Sequence, residues 1–173
     1  MKRRKGPAGL DDHGGQGKPC PYSRTLQRRG AACRTPGLQA QGRPSVASII
    51  EATEEPRGVI LAQLQRMALS LQAVEERAVY DGFCREWTPA YYSGDRQLFH
   101  VHNFPTGLRA TMFVGVRTLE PSILQADQVA PELRVLVATT SGPRGVKMVQ
   151  VPLHTPADVD AFMELVRVKW GLE

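Results

Sequence analysis

Two histidines separated by one residue are the sharpest chemical feature of this sequence. His100 and His102 lie in a strand-like stretch, so both imidazoles should point to the same face of a sheet. Two imidazoles in that arrangement could occupy two positions on a zinc or iron ion. Leu98 and Phe104 have the same parity and favour a packed pair beside the core. Because no acid or cysteine follows closely in sequence as a third ligand, the packed pair is the favoured interpretation.

A second group of side chains combines aromatic rings with positive charge. Pockets for small molecules are commonly walled by aromatic residues and carry a few convergent charges. The strand pattern would bring six such residues to the exposed face of a sheet: Trp87, Tyr91, Tyr92, Arg109, Phe113 and Lys147. The alternative is an amphipathic sheet edge with aromatic caps, and the sequence leaves both interpretations open.

Signatures of catalysis are missing from the sequence. Gly-x-Ser-x-Gly, His-Glu-x-x-His and paired-carboxylate patterns do not occur. The stretch 141–145 contains glycine but lacks the Lys-Ser/Thr end of a phosphate-binding loop, and Cys84 has no nucleophile signature around it. We therefore expect a protein without enzymatic activity and without a cofactor.

The segments that must position these residues have the pattern of strands. Residues 86–93 are rich in aromatic side chains, and 97–104 and 108–116 are joined by a Pro-Thr-Gly turn. Residues 146–153 form a further strand. Residues 118–140 are ambiguous, because the apolar run Leu-Arg-Val-Leu-Val at 133–137 fits a helix or a strand equally well.

Helices flank the strands on both sides in sequence. Ser45 can cap a short helix, and Thr53-Glu54-Glu55-Pro56 marks the start of a second helix. The apolar stripe of this second helix is Ile60, Leu64, Met67 and Leu71, and the segment ends at Glu75 and Glu76. Thr155-Pro156-Ala157-Asp158 begins a last helix. The elements predict an α+β fold of two layers, with an antiparallel sheet of about five strands and helices packed on one face.

The charge of the chain changes near Ser45. Residues 1–45 hold ten Lys or Arg and two acids, a net charge of +8, whereas residues 46–173 hold twelve and fifteen, a net charge of −3. The first segment is rich in Gly and Pro without apolar periodicity, so we expect a disordered tail followed by one folded domain. This segment has three interpretations: a solvated tail, a basic arm that binds phosphates, or upstream sequence read from a misplaced start.

Cysteine number and hydropathy limit the expected environment. Cys20, Cys33 and Cys84 form no CxxC pair, and an odd number argues against a disulfide framework. No apolar run approaches the length of a membrane span, and the basic start is followed by Gly-Pro-Ala-Gly rather than by the apolar stretch of a signal peptide. We therefore expect a cytoplasmic protein with no membrane partner.

Two segments resemble the YdhG-like domains, a bacterial family of mostly uncharacterised proteins sometimes described as frataxin-like iron chaperones. Thr88-Pro89-Ala90-Tyr91 is similar to the Met-Pro-Ala-Phe turn that leads into the family's strands. Residues 145–153 and the following helix, which ends in Arg-Val-Lys at 167–169, are similar to the family's Gly-led strand and last helix. The resemblance covers residues 46–170 and implies helices on one face of an antiparallel sheet, with no established reaction.

These observations predict a non-enzymatic module that binds a small molecule or another partner. The resemblance implies iron or other metal handling as an alternative, and one candidate site is a ridge of carboxylates. The acids of this ridge are better interpreted as ordinary solvent-exposed residues at helix ends: Glu51, Glu54, Glu55, Glu75 and Glu76. Nucleic-acid binding through the basic tail is the other alternative, although the mildly acidic body gives it no support.

Overall fold

A computed structural model of the chain describes residues 42–172. Within this range the helices are α1 (Val46–Glu51), α2 (Arg57–Leu69), α3 (Leu119–Gln125), α4 (Pro131–Thr139) and α5 (Pro156–Trp170). The strands are β1 (Val74–Asp81), β2 (Glu86–Ser93), β3 (Arg96–Phe104), β4 (Gly107–Gly115) and β5 (Val146–Leu153). The predicted tail of residues 1–45 lies outside the described residues except for residues 42–45.

The five strands form one antiparallel sheet, in which they are neighbours in the order β1-β2-β3-β4-β5. Four of the strands lie where the sequence predicts them, but β1 replaces the expected end of a helical segment. Glu75 and Glu76 both belong to this strand. The alternation of apolar and polar residues in β1 is not visible in the sequence because Glu76, on the inner side of the strand, is polar. Its carboxylate accepts a hydrogen bond from Gln65 of α2 at 2.8 Å.

The ambiguous segment 118–140 is helical. Pro131 stands at the start of α4, where its missing N–H costs no hydrogen bond. Val137 is fully buried, and Leu133 and Leu136 pack partly buried against the same core. Leu133, Leu136 and Val137 therefore form the inner side of a helix, whereas Val135 in the same run is exposed.

The helices pack on one face of the sheet and enclose the core. Phe162 of α5 meets Phe99 of β3 edge-on at 5.1 Å, and Phe99 stacks on Tyr91 of β2 at 4.6 Å. A smaller apolar cluster joins α1 to β1 through Val46, Ile49 and Ala78. The described chain thus has the predicted two-layer α+β architecture with a five-stranded antiparallel sheet.

Two of the predicted helix starts have the expected caps. The Ser45 hydroxyl accepts a hydrogen bond from the Ser48 N–H at 3.0 Å. Thr155 and Asp158 form a reciprocal capping box at the start of α5. Partial burial works against the ionised Asp158, but the backbone N–H groups of His154 and Thr155 dominate and hold the pKa of its carboxyl below the usual range.

Among the helices of residues 42–172, none is both long and apolar enough to cross a bilayer.

Candidate functional site

The face of the sheet opposite the helices carries most of the chemically active side chains. We call this surface the open face and define it by Asp81, Glu86, His100, His102, Arg109, Thr111 and Phe113. On β4 the inner residues Ala110, Met112 and Val114 are fully buried, so the alternating residues project to the other side. Strand register places Thr111 opposite His100 and Arg109 opposite His102.

The two histidines share the open face as predicted. Their rings meet edge-on with centroids 4.9 Å apart, and Phe104 lies 5.3 Å beyond His102. Leu98 does not share this face, which corrects the sequence-based expectation. The pairing steps from Tyr91–Phe99 to Tyr92–Gln97, so Leu98 is the extra residue of a bulge and packs into the core.

His100 is a neutral, partly buried member of the pair. Its Nδ1 atom lies 3.3 Å from the Gln97 amide nitrogen, and its ring lies 5.9 Å from the Phe113 ring. Burial, reinforced by the nearby His102, lowers the pKa of His100 to about 4. At physiological pH this imidazole is therefore uncharged; its Nδ1 accepts from the Gln97 amide, which leaves the Nε2–H group as a donor.

His102 is held between two carboxylates. Its Nδ1 atom lies 3.0 Å from Glu86 Oε1, and its Nε2 atom lies 3.4 Å from Asp81 Oδ2. The side chains of His102 and Glu86 are only 5% and 7% exposed, whereas Asp81 is 27% exposed. Both ring nitrogens are thus directed at acids from the β1–β2 hairpin, Glu86 and Asp81.

The turn between β1 and β2 brings a thiol to the same place. Asp81 Oδ1 accepts hydrogen bonds from the backbone N–H groups of Phe83 at 2.7 Å and Cys84 at 3.0 Å. This leaves Asp81 Oδ2 facing His102 and keeps the Cys84 backbone beside Asp81. One ligand atom each from Asp81, Cys84 and His102 lies within 4.8 Å of the other two.

Three of the six residues predicted for a ligand site lie on the helix side. Tyr91 is stacked in the core, and its burial raises the pKa of the phenol. Trp87 packs against α1 and meets Tyr80 edge-on at 5.5 Å. Lys147 is opposite Val114 and donates to Glu120 Oε1 at 2.5 Å and to the Val137 carbonyl at 2.9 Å. The expectation that these residues line an exposed face is therefore wrong.

The other three residues lie on the side opposite the helices. Tyr92 is covered by the Arg77 guanidinium, which lies 4.6 Å from its ring centroid. Arg109 is exposed, and its guanidinium lies 5.8 Å from the Phe104 ring centroid. Phe113 is 42% exposed. Thus Arg109 and Phe113 share one strand of the open face, while Tyr92 is engaged beside the β1 edge.

Thr111 stands between Arg109 and Phe113 along β4. Within the described part of the chain its buried hydroxyl has no hydrogen-bond partner. No carboxylate of the described residues lies within ion-pair distance of Arg109. A guanidinium, an unpartnered hydroxyl and an aromatic ring therefore follow one another on alternate residues of β4.

Comparison with known proteins does not assign the chain to a family. No family model, curated protein or solved structure gives a significant match to the chain. The resemblance to YdhG-like domains therefore stays a prediction.

Proposed function

We propose that this protein is a non-enzymatic binding module that takes a small anionic molecule with a flat, apolar part on its open face. The observation that carries the proposal is the row Arg109–Thr111–Phe113, which lies on the face without described helices. Arg109 there has no acidic partner among residues 42–172. Charge that is not neutralised by the fold is available to a ligand.

The chemistry of the row sets the class of ligand. A guanidinium donates paired hydrogen bonds to a carboxylate or phosphate. Phe113 and the neutral His100 ring, 5.9 Å away, offer a surface for a planar group. Along a strand, alternate residues lie roughly 7 Å apart, and residues four positions apart lie roughly 13 Å apart. One small molecule can therefore reach from Arg109 to Phe113.

A thermal-shift screen of planar carboxylates and phosphates tests this proposal. We expect a subset of compounds to raise the melting temperature of the full chain by binding the native state. Arg109→Ala should remove the shift, and Arg109→Lys should retain part of it because the charge remains. Phe113→Ala should weaken the shift for planar anions but not for inorganic phosphate.

The matched control is Arg117→Ala, which removes an exposed arginine just beyond the same strand. It should leave the shift unchanged. A shift that survives Arg109→Ala, or that Arg117→Ala also removes, would contradict a site on the open face, as would a screen in which no anion stabilises the protein.

Membership of the YdhG-like family and a cytoplasmic location belong to the same proposal. The order of two helices, a strand meander, a strand and a final helix supports the family assignment, although α3 and α4 stand between the meander and the last strand. Thr88–Tyr91, which the resemblance equates with a turn, lies inside β2 instead. The odd number of cysteines and the lack of a CxxC pair support a reducing compartment.

A further inference from the structure

We propose that Asp81, Cys84 and His102 form a binding site for a divalent transition-metal ion of the zinc class. Asp81 is the last residue of β1, Cys84 lies in the turn that follows it, and His102 lies in β3, two strands away in the sheet. One ligand atom from each lies within 4.8 Å of the other two. The site is independent of the ligand row on β4 and goes beyond the proposed function.

One of the three distances between the ligand atoms already fits a small tetrahedral ion. Bonds of about 2.0–2.3 Å at tetrahedral angles place neighbouring ligand atoms roughly 3.3–3.8 Å apart. His102 Nε2 and Asp81 Oδ2 are already 3.4 Å apart. Rotation of the Cys84 side chain would have to close the other two edges, from the thiol to a nitrogen of His102 and to an oxygen of Asp81, because the three ligand atoms start within 4.8 Å of one another.

Hydrogen bonds orient the two anchored ligands toward the proposed ion. The backbone N–H groups of Phe83 and Cys84 hold Asp81 Oδ1, so Oδ2 is the oxygen left to bind. Glu86 lies 3.0 Å from His102 Nδ1. A carboxylate on one imidazole nitrogen fixes the tautomer that presents the other nitrogen to a metal, an arrangement that recurs behind metal-bound histidines.

The donor set selects the class of ion. Calcium and magnesium prefer sites made wholly of oxygen, whereas thiolate and imidazole suit zinc and cobalt. Three protein ligands leave a fourth position for water or another small ligand. Asp81 is 27% exposed, and Cys84 is also only partly buried, which gives an ion a path from solvent.

The same contacts could instead form a metal-free ion-pair triad, with an imidazolium between two carboxylates. Cys84 separates the two interpretations, since only a thiolate bound to the metal would give the absorption bands of thiolate-bound cobalt. The test is therefore built on Cys84.

Cobalt titration of the full chain carrying Cys20→Ser and Cys33→Ser isolates this thiol, because Cys84 is then the one cysteine left. We expect one cobalt ion per chain, the absorption bands of tetrahedral thiolate-bound cobalt, and displacement by zinc. Adding Cys84→Ser should remove the thiolate band and weaken affinity at least tenfold. Glu86→Gln should keep the band and weaken affinity by about 10–100-fold, as for other partners of metal-bound histidine.

His154→Gln is the control, since this exposed imidazole lies outside the group. It should change neither band nor affinity. Circular dichroism checks that Cys84→Ser, a conservative change in a turn, remains folded. Any of three results would overturn the proposal: absence of the thiolate band, a band that survives Cys84→Ser, or metal binding that His154→Gln abolishes. The contacts would then be explained by the ion-pair triad.

Discussion

The ammonium group of Lys147 lies 2.5 Å from Glu120 Oε1 and donates to the carbonyls of Val137 and Ala138. Only 10% of its side chain is exposed, and Glu120 is 13% exposed. The Lys147 ammonium group, which was predicted to bind a ligand, therefore joins β5 to α3 and α4 instead. Position 147 has the parity of the core residues Val149 and Val151, which is the signal that could have placed it inward.

Removing this lysine should be costly. Lys147→Met leaves the carboxylate of Glu120 buried without its partner, and we expect a loss of about 3–5 kcal/mol in the free energy of unfolding. Urea denaturation measures the loss. The double variant with Glu120→Met should recover most of it, because two apolar side chains of similar size need no pairing.

The exposed Arg117→Met serves as control and should change stability by less than about 0.5 kcal/mol. If Lys147→Met costs no more than this control, or if the double variant is no more stable than the single one, the buried pair does not stabilise the fold as described.

The surroundings of His102 show which part of the site the sequence could predict. The spacing of His100 and His102 was enough to place both on one face. Asp81 and Glu86 stand sixteen or more positions earlier, and they reach His102 only through the register of β1, β2 and β3. Because β1 has a polar inner position, its hairpin with β2 was not visible in the hydrophobic pattern.

At the scale of elements, α5 is attached to the sheet by a buried charge as well as by its apolar stripe. Lys169 Nζ donates to the Leu98 carbonyl at 2.9 Å and to the Phe113 carbonyl at 3.1 Å. Leu98 is the bulged residue of β3, so the lysine satisfies a carbonyl that the strand ladder passes over. Capping and periodicity predicted α5 itself, whereas a bulge depends on strand register and could not be read in advance.

This attachment should make stability depend on pH. Burial lowers the pKa of Lys169 to about 8, from an ordinary value of 10.5. Between these values the unfolded chain binds more protons than the folded chain, so stability rises with pH across the window. Relative to Lys169→Met, the wild-type protein should gain ~2 kcal/mol in the free energy of unfolding between pH 7 and pH 10.

Comparing urea denaturation of the two proteins at each pH cancels all groups that they share. Lys169→Arg offers a second reference, because arginine keeps its charge throughout the range. A wild-type advantage that stays constant from pH 7 to pH 10 would contradict the lowered pKa and would leave Lys169 a purely structural donor.

At the scale of the whole molecule, the step in charge coincides with the start of the described fold. Every core residue that the structure describes lies between Val46 and Val166. Residues 42–173 carry thirteen Lys or Arg and fifteen Asp or Glu, a net charge of −2, although the full chain carries +5. The basic character of the protein therefore resides in residues 1–41, which lie outside the described residues.

A chain truncated to residues 42–173 should consequently fold with the stability of the full chain, within about 0.5 kcal/mol, because Ser45 still caps α1 and the core is intact. At pH 7 the full chain should bind a cation exchanger and the truncated chain an anion exchanger. Any affinity of the full chain for DNA should disappear on truncation, since phosphate contacts depend on clustered positive charge. A large loss of stability on truncation would show that the first 41 residues support the fold. DNA binding by the truncated chain would show that residues 42–173 have a basic surface of their own despite their negative net charge.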